Sequence, residues 1–156
     1  MIRIITPSQE IQNTQQVVEV FQKNLPDLIF EAAKDVADII QDRVEGQGLA
    51  TNGSPLVTPS NNPIGRYGQR HGQARQARGL NTGKVDLRFT GQMWDSWGET
   101  QDGLQTEVGF DNQEAANKMM MNEYLYGVDI RLPNEAELNE VDRRMDLMIN
   151  NLLENL

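Results

Sequence analysis

The sequence predicts an α+β layer fold. Helices at both ends pack on a small antiparallel-type sheet of three to four strands, with a long glycine-rich arm between them. Three observations carry this reading. Apolar residues recur at helical spacing near both ends, as Ile11, Thr14, Val18, Phe21 and Leu25 and again as Leu138, Val141, Met145 and Leu152. In the middle, Val85, Leu87 and Phe89 alternate with Lys84, Asp86 and Arg88, the period of a half-buried strand. Residues 45–83 hold 8 of the 13 glycines and three of the six prolines, with few large aliphatic side chains.

In chain order, "TPSQ" opens the first helix, with Thr6 as cap, Pro7 in the first turn and Gln9 closing a capping box. "NLPD" is expected to interrupt it, because Pro26 is tolerated only in a first helical turn. A second helix then runs to about Val44, burying Ile29, Ala32, Ala33, Val36 and Ile40. Residues 45–83 read as an extended arm ordered by a partner, since structureless connections of that length are uncommon in compact domains. "GQARQARG" within it is expected to form at most a brief turn. After the strand at 84–89, Met93, Trp94 and Trp97 take helical spacing in a short turn. "LQTEVGF" supplies the next strand, and Asp111 with Glu114 caps a helix that Gly127 ends. "VDIRL" reads as a further strand, and Asn134 with Glu137 caps the last helix. The chain is thus one domain over 1–156, with a helical part (1–44), an arm (45–83) and a core (84–156).

At 156 residues one domain can bury its own core. The N-terminus "MIRIITPSQE" has no signal-peptide pattern, cysteine is absent, and no stretch approaches the roughly 20 apolar residues of a membrane span. These point to a product made or assembled inside a cell, without disulfides or thiolate metal sites and without a membrane partner. The net charge is -9, yet residues 66–88 carry six bases (Arg66, Arg70, Arg75, Arg78, Lys84, Arg88) against the single acid Asp86. An acidic body with one basic segment suits an interaction arm.

Catalytic chemistry is not legible. His71, the single histidine, has no carboxylate motif beside it, "DNQE" lacks the calcium-loop pattern, and no serine sits in a nucleophile elbow. The expectation is a protein that is not an enzyme and that holds no catalytic residue, metal or cofactor. The interface is expected at Arg66, Tyr67, Arg70, Arg75, Arg78, Arg88, Trp94 and Trp97. Of the two tryptophans, either one fills the core and the other faces a neighbour, or both are core.

"VDLRFTGQMWDSW" is similar to the V-D-L-x-x-T-G-x-M-x-x-S strand and turn of tail-completion and virion-morphogenesis proteins of tailed bacteriophages. "GRYGQRHGQARQARGL", "VGF", "NEYLYG" and an R-x-P segment follow the family's order as patterns, over residues 28 to 156. Glu123 stands four residues before Gly127, where many relatives place the glutamate closer. The resemblance implies a structural virion protein: a ring-forming neck or tail-completion subunit, of the head-tail connector or tail terminator kind. Its partners would be copies of itself and other neck, connector or tail-tube proteins, with DNA passing nearby without sequence-specific contact. It would be assembled in the host bacterial cytoplasm. The alternative is a nucleic-acid-binding regulatory protein using the basic segment 66–88, for which a lone five-charge excess predicts weak, salt-sensitive binding.

Overall fold

The computed structural model describes residues 7–154, with side chains from residue 11. The expected caps Thr6 and Gln9 lie outside the described side chains. Among the described residues the fold is mixed: four α-helices and one two-stranded antiparallel sheet, not three to four strands.

Helix α1 (Pro7–Gln41) runs unbroken through Pro26, so the break expected at "NLPD" does not occur. A proline inside a helix costs about 3 kcal/mol through its missing N–H and a ring clash. Beyond it, Ala37 and Ile40 are buried, and α1 lies against the last helix and both strands. Such packing supplies most of a helix's stability and outweighs the lost bond. The helix then widens into a π-helical segment, Asp42–Gln47, that buries Arg43 and Val44 and closes on Gly48 at φ 69°.

Residues 45–83 are not an extended arm. Ala50, Leu56 and Tyr67 belong to the main core together with Val44, Val85, Met93 and Trp94. Isolated bridges Leu49–Pro55 and Ile64–Tyr67 fold the stretch back on itself. Helix α2 (Gln69–Ala77) then buries Gly72 and Arg75. Two glycines show why the composition misleads. A Cβ on Gly65 (φ 62°) would lie 1.9 Å from the Thr82 carbonyl oxygen, and one on Gly72 would lie 2.5 Å from Ile64 Cβ. These glycines permit close packing rather than looseness.

The strand expected at 84–89 is also absent. Asp86 accepts from the Arg88 N–H through Oδ1, and the Asp86 N–H donates to the Tyr67 hydroxyl. Leu87 between them takes φ 52°, the one positive φ among the described non-glycine residues. Side chains occupy the backbone groups that a ladder would need. A short 3₁₀ turn, Trp94–Ser96, leads into β1 (Trp97–Asp102), so Trp97 begins a strand instead of completing a helical turn. β1 pairs with β2 (Gln105–Phe110) from Trp97–Phe110 to Asp102–Gln105, around a two-residue loop opened by Gly103 at φ 61°.

Helix α3 (Gln113–Tyr126) is capped by Asn112, not by the expected Asp111. The Asn112 Oδ1 accepts from the Ala115 N–H at 2.8 Å, and Gly127 ends the helix at φ 67°. "VDIRL" forms no strand. The Ile130 and Arg131 N–H groups donate to Glu123 Oε1, while the Ile130 and Leu132 carbonyls accept from Arg43 Nη2. Thr51 adds an N–H to the Asp129 carbonyl. Helix α4 (Glu135–Glu154) opens on the expected box: Asn134 Oδ1 accepts from the Glu137 N–H at 2.9 Å, and Glu137 Oε2 from the Asn134 N–H at 2.8 Å. Arg144–Asp35 at 2.7 Å ties α4 to α1.

Candidate functional site

Arg75, at 1% exposure, is the pivot of the densest polar cluster. From the inner face of α2 its Nη2 meets Asp86 Oδ2 at 2.7 Å, Nη1 the Arg88 carbonyl at 2.9 Å and Nε the Asn81 carbonyl at 2.8 Å. Its guanidinium stacks 4.5 Å above the Tyr67 ring, whose hydroxyl reaches Asp86 Oδ1 at 3.1 Å. The Asp86 carbonyl accepts from Trp94 Nε1 at 3.1 Å. A buried guanidinium with this many acceptors is satisfied, which is the condition under which burial is tolerable. The cluster fixes α2 to the irregular segment 80–96.

Above this base a groove of about 630 Å³ opens between α2 and α3, with segment 87–93 contributing to its wall. Its apolar lining includes Tyr67, Leu87, Phe89, Met93 and Tyr126, and its polar lining includes Arg70, His71 and Lys118. No aspartate or glutamate lines it. In a chain with 23 acids that is a segregated surface. His71 stacks on Tyr67 at 5.0 Å and meets the edge of Phe89 at 5.1 Å. Desolvation first, and then the nearby Arg75 charge, lower the His71 pKa from its ordinary value, so the ring is neutral at pH 7. Burial likewise raises the Tyr67 and Tyr126 hydroxyls, the latter opposed by its hydrogen bond with Thr58. Both tyrosines remain hydrogen-bonding hydroxyls at physiological pH. The groove therefore offers aromatic faces, hydroxyls and cations to a ligand.

The expected interface residues divide into three groups. Tyr67, Arg75 and Trp94 are buried in the body, and Trp97 is half-buried. Trp94 and Trp97 meet edge to face at 5.9 Å, and Trp97 Nε1 donates to the Ala37 carbonyl of α1 at 3.0 Å. Both tryptophans thus serve internal packing. Arg78 lies over Phe89 at 4.2 Å, Arg88 pairs with Glu45, and Lys84 bonds the Gly46 carbonyl. Arg66 and Arg70 remain exposed, and no side-chain partner of either is seen among the described residues. Sequence reasoning missed Phe89, Met93, Leu125 and Tyr126 as groove residues. The aromatic residues interleaved with arginines in "RYGQRH" and "LRF" were the available signal.

A second feature lies apart from the groove. Residues 11–19 of α1 are exposed on every face of the helix, including Ile11 (60%), Val17 and Val18 (46%). Their length of helix stands clear of the body. On α3, Met120, Met121, Tyr124 and Leu125 are exposed along one edge that runs into the groove rim. Among the described residues no helix is long and apolar enough to cross a membrane, and no three His, Cys, Asp or Glu side chains cluster for a metal ion.

Compared with protein-family models, with curated proteins and with solved structures, the chain shows no significant match to any of them.

Proposed function

We propose that this chain is a structural virion protein of a tailed bacteriophage, a ring-forming neck or tail-completion subunit. The resemblance of "VDLRFTGQMWDSW" names the family, and one structural observation supports an assembly role: residues 11–19 of α1 are exposed, including the apolar Ile11, Val17 and Val18. A helix whose apolar stripe meets only water gains nothing from tertiary packing, the usual source of helix stability. Its stripe is explained if a neighbouring subunit covers it. The exposed edge of α3 supplies a second uncovered apolar surface, as subunits joined head to tail require.

The nucleic-acid reading loses support from the same geometry. Of the six bases in 66–88, Arg75 is internal, Arg78 and Arg88 are engaged by Phe89 and Glu45, and Lys84 by a carbonyl. Two unpaired arginines, Arg66 and Arg70, are a small footprint for phosphate binding.

The experiment is head–tail joining. Deleting the gene from the phage genome that encodes the chain should yield DNA-filled heads and separate tails, and adding purified chain to that lysate should restore joined particles. Normal infectious particles from the deletion would refute the proposal.

A further inference from the structure

The groove and the projecting helix are complementary, and no residue of the helix lines the groove of its own subunit. The groove opens between α2 and α3 with no described side chain filling it, while residues 11–19 of the same chain are exposed. We infer that the outer part of α1, from Ile11 to Phe21, docks into the α2–α3 groove of a second copy of this chain. This deepens the ring reading and rests on it, since it names the contact by which one subunit grips the next.

Three properties of the two surfaces agree. The first is size. A groove of about 630 Å³ has room for apolar side chains laid into it from a helix, and eleven residues at 1.5 Å each make about 16 Å of helix. Ile11 to Phe21 is a segment of that length. The second is apolar character. Ile11 and Val18 follow helical spacing on the projecting segment, with half-buried Phe21 at its root, and the groove presents Phe89, Leu87, Met93 and the ring of Tyr126, with exposed Leu125 on its rim. The third is charge. Pro7 to Gln22 contains Glu10 and Glu19 and no lysine or arginine, whereas the groove lining has Arg70 and Lys118 and no carboxylate, Lys118 being already paired with Glu114 at 2.6 Å. Arg70 has no partner among the described residues and is free to meet Glu19. Helix-in-groove docking of this kind is read as apolar anchors at i, i+3, i+4 and i+7.

The contact is heterologous: the helix of one copy enters the groove of the next and leaves its own groove open. Such a contact propagates, and it closes when the rotation permits.

The test uses the full-length chain and two sets of exposed substitutions, chosen because neither should disturb folding. Ile11→Asp with Val18→Asp spoils the helix, and Arg70→Asp with Leu125→Asp spoils the groove. Circular dichroism should show each variant folded. Sedimentation velocity at millimolar concentration should show wild type associating and each variant alone as a monomer. An equimolar mixture of the two variants should form a one-to-one dimer and stop there, because one intact helix and one intact groove remain. The chain has no cysteine, so Val18→Cys and Leu125→Cys single variants can be mixed and oxidised without background. They should cross-link to each other at least tenfold more than either does to itself. A wild-type chain that stays monomeric, variants that associate like wild type, or a mixture that gives neither dimer nor cross-link would each overturn the docking. Head–tail joining by wild-type chain alongside any of those results would leave the ring function standing and remove only this contact. If instead the variants join heads to tails normally while binding an acidic peptide or single-stranded DNA is lost from the groove variant, the occupant is not a second copy.

Discussion

Arg75 of α2 and Asp86 of the irregular segment form an ion pair at 2.7 Å, with the arginine 1% exposed and Tyr67 bridging them from below. The pair joins two parts of the sequence that composition had separated into an arm and a core. All five hydrogen bonds around it end on a carbonyl or carboxylate oxygen. Its removal tests whether 45–83 belongs to the body.

Arg75→Met should lower unfolding free energy by about 3–5 kcal/mol, because Asp86 and two carbonyls lose their partner in a poorly hydrated place. Urea denaturation followed by tryptophan fluorescence would read this. A loss under about 1 kcal/mol, typical of an exposed pair, would mean that the cluster is not buried in solution.

Trypsin should spare residues 45–83 in the isolated subunit and cut first after Lys23, where α1 emerges toward its projecting end. Exposed helix without tertiary contacts opens locally at little cost, whereas cleavage after Arg75 requires the body to unfold. Early fragments ending at Arg66, Arg70, Arg75 or Arg78, identified by mass spectrometry, would restore the mobile-arm reading.

Both tryptophans should report a buried site. Trp94→Ala should cost about 3–5 kcal/mol, and Trp97→Ala somewhat less because Trp97 is only half-buried. Neither substitution should act on association alone. A Trp97→Ala chain with wild-type melting temperature and impaired assembly would place that side chain at an interface instead.

Helices were legible in the sequence wherever a face had to be buried or a cap was local. The Asn134–Glu137 box and the Gly127 stop stand where they were expected, because both depend on residues within one turn. Strands at 84–89 and 128–132 were not, although the alternation is real and Val85 and Ile130 are fully buried. Alternation reports which side chains turn inward, but a strand also needs a partner backbone. Here Asp86, Tyr67, Arg43, Thr51 and Glu123 take those backbone groups, and their approach depends on long-range packing. The groove was half legible: Tyr67, Arg70 and Arg75 were singled out, while α3's contribution had no local signal. Glycine density misled most, since Gly65 and Gly72 mark tight packing.

Acid should weaken the fold through two groups. The His71 pKa is lowered, so below about 6.5 the unfolded chain binds a proton that the folded chain resists, and stability falls as pH drops through that window. Glu140 is held down to about 2 by its hydrogen bonds with Arg143 and Arg144, and its contribution, full above the ordinary glutamate range, is lost as pH falls toward 2. The single histidine gives one imidazole signal in NMR titration. A midpoint at or above 6.5 would show that His71 is not packed between Tyr67 and Phe89.

On the reading proposed above, this chain is a building block of a virion. Quantitative mass spectrometry of density-purified particles from the encoding phage tests it most directly, paired with electron microscopy of the same particles. The expected result is the chain at a fixed multiple copy number per virion, with ring density at the neck or tail end that accommodates the fold described here. Purified infectious particles that contain none of it would contradict the account.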